Sequence, residues 1–466
     1  MKTNKKRIIK IFVISIFSFL LFFFVIEENI MSKIDNFFQQ DKYSFVDMTN
    51  FNVDAKGYSG AVFDGRYIYF IPIRNTYKRF DFSGVVARYD TKSKFTSSSS
   101  WSFFNLTQLH PEAKGFGGGV FDGRYVYLVP NYNDKKRSGL VVRFDSVKQF
   151  DSPSSWEFFD ISLLNPRSKG FYGGVFDGRF IYFVPHHNGE NYSGEIARYD
   201  TKQPFYASSS WSFFDTTSIN NFSRGFVQAI FDGRYIYFIP NRLNTNDYNG
   251  QVTRYDTSKP FNAPYAWSFF NTTRLNAKSK GFAGGVFDGR YIYLAPLFLD
   301  SKNFNGLVTR YDTTLPFKSS RAWSFFDTSK INTNSKGFVS AIFDGKYVYF
   351  VPFRSGYAPP REIDPESYLC EDTNSGGFSG QITRYNTTLL FNSSSAWSFF
   401  DLTKIQSKLK GFWGGVFDGR YIYLTPAKTE SCVTSGRVVR FDTLENKKGL
   451  ISFSLGIIHK FFMNDF

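Results

Sequence analysis

Cysteine and histidine are nearly missing from this chain. Two cysteines occur in 466 residues, Cys370 and Cys432, and neither belongs to a C-x-x-C pair. Zinc-ribbon and thioredoxin-like chemistry therefore have no footing. Four histidines stand at 110, 186, 187 and 459. His186 and His187 are adjacent in one loop, and without a third ligand they do not make a metal site. A propeller-type copper-radical oxidase would need Tyr, His and Cys gathered near an axis, whereas both cysteines fall in loops. Nucleophile elbow, P-loop, dinucleotide fingerprint and the Ser-x-Asp-x-Gly-x-Thr-Trp box of sialidases are all absent. The expectation is a protein without a cofactor. One catalytic class stays open: paired carboxylates from distant loops leave no local motif, so a glycan hydrolase or lyase is the alternative to a binding protein.

Aromatic residues are abundant. Phe, Tyr and Trp make up 20 % of the chain and Gly numbers 37, the composition of pleated, half-buried strands rather than polar helices. The formal charge of +16 favours anionic partners such as acidic glycans, phosphate polymers or headgroups. It would equally keep a large β protein soluble and its strand edges apart. Residues 1–10 are basic, and residues 11–26 are apolar apart from Ser15 and Ser18. With Ile8 and Ile9 this run reaches the roughly 17–20 residues that a spanning helix needs. Cations precede it and Glu27-Glu28 follow, which orients the N-terminus to the cytoplasm. No small-residue cleavage site follows Val25. Residues 1–28 thus read as a cytoplasmic stub and a transmembrane signal-anchor, with a cleaved signal peptide as competitor. Residues 29–42 read as a linker, and everything beyond lies outside the cytoplasm.

Phe-Asp-Gly followed by Arg or Lys recurs seven times, with its Asp at 64, 122, 177, 232, 288, 344 and 418. The period is about 55 residues, enlarged before the last copy by an insertion over 354–377; strand-like content at that period signals a β-propeller. Residues 169–215 show the unit. Strand a runs from Gly170 to Phe176, and Asp177-Gly178 turns the chain. Strand b runs from Arg179 to Val184 and stops at Pro185, which cannot donate to a ladder. Strand c is Gly194 to Tyr199, and strand d is Trp211 to Asp215. Blades converge on the axis, so strand a, with pairs such as Gly173-Gly174 and Gly284-Gly285, belongs inside. Strand d, with Trp and Phe, belongs at the rim.

Six copies of strand d carry Trp, at 101, 156, 211, 267, 323 and 397, and the seventh unit has none after its strand c. Ser44-Phe45-Val46-Asp47 matches the missing strand. From Asp47 to Asp64 is 17 residues, and the same 17 separate the last residue of strand d from the next Phe-Asp-Gly Asp in every unit. The expected fold is all-β: a seven-bladed propeller of four-stranded antiparallel blades over 43–443, closed by an N-terminal outer strand, with a tail over 444–466. The run small-Gly-Val-Phe-Asp-Gly-Arg-Tyr-Ile-Tyr, then Val-x-Arg-Tyr-Asp, then Trp, resembles the kelch repeat. It departs where kelch units place a double Gly after strand b, because an aliphatic or small residue plus Pro stands there (Ile71-Pro72, Val129-Pro130). The resemblance implies a fold and a habit of binding, and no reaction.

One arginine recurs in each strand c (Arg88, Arg143, Arg198, Arg254, Arg310, Arg384, Arg440), as expected of a structural partner for a repeated carboxylate. The Asp of Phe-Asp-Gly and the Asp closing strand d are the candidates. A cation precedes each strand a: Lys56, Lys114, Lys169, Arg224, Lys280, Lys336 and Lys410. Sevenfold geometry would set these around one mouth, where their fields add and attract an anionic group. They could instead pair with the strand-d carboxylate nine residues earlier, as Lys56 with Asp47 or Lys169 with Asp160. Asn105 and Asn271 would leave Lys114 and Lys280 without that neutralisation. Tyr172 and Trp413 stand where other blades start strand a with smaller residues, either to stack on a ligand or to fill a gap. Cys370 and Cys432 lie in b–c loops of neighbouring blades, so a disulfide is expected. The acidic insertion, with Glu362, Asp364, Glu366, Glu371 and Asp372, fits no EF-hand spacing and reads as a solvated loop. The function expected is an anchored binding or adhesion module recognising an anionic glycan or a surface protein on its loop face, with a glycan-active hydrolase or lyase, or a structural envelope protein, as the alternatives. Nucleic acid is the less favoured partner.

Overall fold

The computed structural model describes residues 35–76, 81–356, 377–430 and 433–444. The anchor over 1–28, most of the linker, the acidic insertion, both cysteines and the tail beyond 444 lie outside those residues. Among the described residues no helix is long and apolar enough to cross a membrane.

Residues 44–441 form one compact unit of seven four-stranded antiparallel sheets. Blade 3 is typical: strand a is Phe171–Phe176, b Phe180–Pro185, c Glu195–Asp200 and d Trp211–Asp215. Each strand pairs with the next along the chain. The seventh sheet differs as foreseen. Its order runs Phe412–Phe417, Tyr421–Pro426, Arg437–Asp442 and then Tyr43–Asp47. Arg440 donates from Nε to Ser44 Oγ at 3.1 Å, Met48 N donates to Gly436 O at 3.0 Å, and Arg437 pairs with Asp47 at 3.0 Å. The second unit contributes residues 35–43 and 442–444 to the described chain. There, 3-10 turns at Asn36–Phe38 and Gln40–Lys42 are fastened by Tyr43, whose hydroxyl donates to Phe37 O at 2.8 Å.

The strands a contact one another in a closed circle, the first (Tyr58–Phe63) meeting both its successor and the last (Phe412–Phe417). They are therefore innermost, and small side chains explain how they fit. At the fourth residue before each Phe-Asp-Gly Asp stand Gly60, Gly118, Gly173, Gln228, Gly284, Ser340 and Gly414. Strand a is bulged there, as between Phe171 and Gly174. Gly173 takes φ +75°, and a Cβ would sit 3.0 Å from Val227 O of the next blade, so only glycine satisfies both backbone and neighbour.

Aromatic rings join the sheets further out. The Trp267 indole donates to Phe261 O at 3.0 Å and stacks on Phe214 of the preceding blade, with centroids 5.0 Å apart. Tyr182 of blade 3 packs on Tyr255 of blade 4 at 5.9 Å. Each such pair adds about 0.5–1.5 kcal/mol beyond area burial. The Asp of Phe-Asp-Gly holds its own hairpin: Asp177 accepts from the Arg179 and Phe180 amides and from the Tyr182 hydroxyl, at 2.9, 2.6 and 2.8 Å.

The strand-c arginines do join blades, but not through the carboxylates expected. The Arg198 guanidinium lies over Phe180 at 4.2 Å and over Phe261 of the next blade at 4.3 Å, with Nε donating to Ser212 Oγ at 3.1 Å. A planar cation fits between two rings, each contact being worth about 0.5–2 kcal/mol. Arg143 alone faces an acid on strand d, Glu157, at 2.5 Å. The Asp closing strand d is occupied as a helix cap. Asp160 Oδ1 accepts from the Ser162 amide at 2.9 Å, opening the 3-10 turn Ile161–Leu163. The same cap and turn recur in every blade, which accounts for the invariant 17-residue spacing.

Candidate functional site

A cavity of about 230 Å³ lies on the propeller axis, walled by strands a of all seven blades and by the residues just after strand b. Strand b ends at a Pro in every blade. The following residue, at 73, 131, 186, 241, 297, 353 and 427, lines the cavity in each blade. The chain direction at this point is fixed by a repeated glycine. Gly225 donates to Ser193 O of blade 3 at 3.0 Å and accepts from the Asn241 and Arg242 amides of its own blade at 3.0 and 3.1 Å. Its φ is +66°, and a Cβ would lie 1.9 Å from Arg242 O.

One side of the wall is polar and cationic. Arg74, Arg137 and Arg242 line the cavity and are 8, 6 and 2 % exposed. Each is steadied by an aromatic ring on the returning arm of its loop or beside it: Arg74 lies over Phe82 at 4.3 Å, Arg137 over Tyr132 at 5.5 Å, and Arg242 over Tyr248 at 4.5 Å. Arg242 also donates to Thr245 O at 2.6 Å and to the Tyr248 hydroxyl at 2.5 Å. Between these cations, side chains reach across blades to the first carbonyl of the next strand a. Asn131 donates to Phe171 O at 2.8 Å and Asn241 to Phe282 O at 2.7 Å. His186 Nδ1 stands 3.0 Å from Phe226 O. A carbonyl only accepts, so Nδ1 carries the hydrogen and Nε2 keeps its lone pair. Desolvation, together with the charges of Arg137, His187 and Arg242, holds this imidazole well below its ordinary range; it is neutral.

The opposite wall is apolar. Blades 5 to 7 present Leu297, Phe298, Phe353, Trp413 and Ala427. The Trp413 ring stands edge-on to Phe353 at 4.6 Å, and Tyr172, across the cavity, stands edge-on to His186 at 5.4 Å. Lys428 adds one cation to this side and is 4 % exposed. No Asp or Glu is among the described residues that line the cavity, so the carboxylate pair of a glycosidase does not occur among them. Nor do the described residues hold a group of three His, Cys, Asp or Glu that could bind a metal.

Sequence reasoning named Tyr172 and Trp413, and both line this cavity. The seven cations ahead of strands a do not line it; all are half-buried in the d–a loops. Lys114, which strand d leaves without a carboxylate, is held by Asp134 in the b–c segment of its own blade. Desolvation raises Asp300, but hydrogen bonds from Asn303 and Lys302, with the charge of Lys280, outweigh it and hold the carboxyl below its ordinary range. The glycine after each cation is bonded to the start of its own b–c segment, which sets Lys114 and Lys280 beside loop acids of their own blade. Asp47 and Asp160, considered above as partners for Lys56 and Lys169, are taken up as caps, and Asp47 also by Arg437. Of the cations that do line the cavity, Arg74 and Arg137 belong to b–c loops that read from the sequence as basic and variable, the expected place of recognition, but none was singled out as a site residue. They come two residues after the Pro of strand b, at 74, 242 and 428, or return on the far arm, as Arg137 does. Their varied identity hid them, and their fixed offset from that Pro was the available signal.

Fold and site together define a seven-bladed β-propeller with a cationic axial cavity. No family model matches the chain, and no curated protein does; the repeat is not assigned to the kelch family. A solved structure that resembles it is that of PorZ, an essential bacterial surface component of the type-IX secretion system of Porphyromonas gingivalis. Identity is 9 % and the TM-score 0.44, with 84 % of this chain and 37 % of that one covered. The chain thus spans little more than a third of that structure's length.

Proposed function

We propose that the protein is a binding module held outside the cytoplasm by its N-terminal segment, and that it recognises an anionic glycan at the mouth of the axial cavity. One observation carries this reading. Arg74, Arg137, Arg242 and Lys428 line the cavity while no described lining residue is a carboxylate. Arg242 is 2 % exposed and donates to a carbonyl and a hydroxyl, both uncharged, so an anion that reaches it offsets the cost of burying its charge. Rings steady three of the guanidiniums, so little side-chain freedom is lost on binding. The half-buried cations of the d–a loops, such as Lys56, Lys169, Arg224, Lys336 and Lys410, extend the positive field over the loop face and steer the approach. The repeats serve as divergent kelch-like units in this reading, a scaffold on which loops differ. The test is calorimetric titration of the full chain with acidic and neutral oligosaccharides at two salt concentrations. Binding confined to the acidic set and weakened by salt is expected; equal binding of neutral glycans refutes the reading.

A further inference from the structure

The division of the cavity wall goes further than the sign of the ligand's charge. Blades 1 to 4 supply Arg74, Asn131, Arg137, His186 and Arg242. Blades 5 to 7 supply Leu297, Phe298, Phe353 and Trp413, with Lys428 as the one charged exception among the described residues. A ligand that satisfies both walls carries its anionic group on one edge and an apolar face on the other. Size narrows the choice. The cavity's roughly 230 Å³ falls below the ~300–1,000 Å³ of sites for drug-sized ligands, so it holds one ring rather than a run of them. Enclosure narrows it again. All seven blades contribute to the wall, and a cavity ringed in this way suits the end of a chain better than a residue continued on both sides.

Resting on the anionic-glycan reading, we infer that the cavity is a subsite for a single terminal acidic sugar. Its carboxylate lies against Arg242 on the cationic side, where His186 Nε2 can accept from a sugar hydroxyl, and the C–H face of its pyranose lies against Trp413 and Phe353. The donors suit this task. Arg242 has two hydrogen bonds and a ring holding its guanidinium, which leaves other N–H groups of the fork for a carboxylate. Trp413 is partly exposed beside Phe353 and offers a flat apolar surface at the right side of the cavity.

The experiment uses the full chain and a uronic-acid trisaccharide with a free non-reducing end, the same trisaccharide blocked at that end, free hexuronate, the matching neutral hexose and inorganic phosphate. The expected result is competition by free hexuronate, with blocking of the end lowering affinity about tenfold or more, as loss of a charged hydrogen-bonded contact does. Hexose and phosphate each satisfy one wall and compete weakly. Arg242→Gln is expected to lower hexuronate affinity by a similar factor without changing that of the hexose, and Trp413→Leu to lower both. Arg242 is buried, so its variant is checked for an unchanged melting temperature; the blocked trisaccharide tests the idea on the unaltered protein in any case. Equal binding of blocked and free trisaccharide overturns the terminal subsite while leaving the anionic-glycan reading intact. Phosphate competing as well as hexuronate removes the apolar wall from the argument and overturns it too. Absence of binding by every acidic saccharide overturns both.

Discussion

Cutting the packing of the N-terminal clasp should cost the ring much of its stability. Val46 is 6 % exposed and Met48 fully buried. Both sit in one cluster with Tyr58, Phe70 and Trp101 of blade 1 and Tyr423 and Val438 of blade 7. They thus bridge the seam where the circle closes. Met→Ala at a buried site costs about 2–5 kcal/mol. Removing two methyl-sized groups from Val46 adds about 1.6 kcal/mol of transfer free energy. Val46→Ala with Met48→Ala should therefore lose about 4–7 kcal/mol, out of the ~5–15 kcal/mol that domains possess. The ion pair of Asp47 with Arg437 is partly exposed and contributes about 0–1 kcal/mol, so it is left in place. Urea unfolding of the full chain, followed by near- and far-ultraviolet circular dichroism, measures the loss. Phe38→Ala is the control, because Phe38 is 49 % exposed and its truncation should stay within about 0.5 kcal/mol. A double variant that unfolds at the parent's midpoint would show that the circle does not depend on this strand.

Two further outcomes are expected. Gly225 and Gly233 both have positive φ, but a Cβ at Gly225 meets Arg242 O at 1.9 Å and one at Gly233 meets nothing within 4 Å; Gly225→Ala should therefore lower the melting temperature clearly more than Gly233→Ala, which pays only about 1–2 kcal/mol of backbone strain, and equal losses would refute the steric account. His186 faces Arg137, Arg242, His187, Tyr172 and Tyr192, and its folded-state pKa lies below the unfolded value of about 6.5. Above that value neither state is protonated and the group contributes no pH dependence. Below it the unfolded chain binds the extra proton, so stability falls with falling pH by up to about 1.4 kcal/mol per unit. His186→Gln should remove that slope between pH 7.5 and 5, and an unchanged slope would refute the assignment.

The fold was legible because its repeats are written in residues that perform one local task each. Asp177 caps its hairpin, Asp160 caps its 3-10 turn, and Trp267 reaches back to Phe261, so identity recurs wherever the task does. The clasp was legible for the same reason: Asp47 has the same capping task as Asp160 and stands the same distance from the next Phe-Asp-Gly. Partnership across blades was harder. Arg198 was expected beside an acid, because arginine in a strand suggests one, but its partners are Phe180 and Phe261, the second of them about sixty residues away. Nothing in the local pattern distinguishes a cation between two rings from a cation beside a carboxylate. The disulfide and the anchor concern residues outside those described.

The cavity was the least legible part, and symmetry explains why. A residue repeated in all seven blades meets the same neighbours seven times, so evolution of the scaffold can give it a standing partner. Lys114 has Asp134, and Lys280 has Asp300 nearby. Seven equal positions around an axis also define no direction, so they can attract a ligand but cannot orient it. Orientation requires unequal residues at equivalent positions. The position after the Pro of strand b meets that requirement, with Asn131, His186 and Asn241 on consecutive blades facing Leu297, Phe353 and Ala427. The three polar residues include two amides and an imidazole bonded to carbonyls of the next blade, so they are fixed parts of the wall rather than mobile surface groups. The equivalent described residues opposite are aliphatic or aromatic, with Lys428 beside Ala427. A charged group entering along the axis is thereby drawn to one side, and whatever it carries is pressed toward Trp413 on the other.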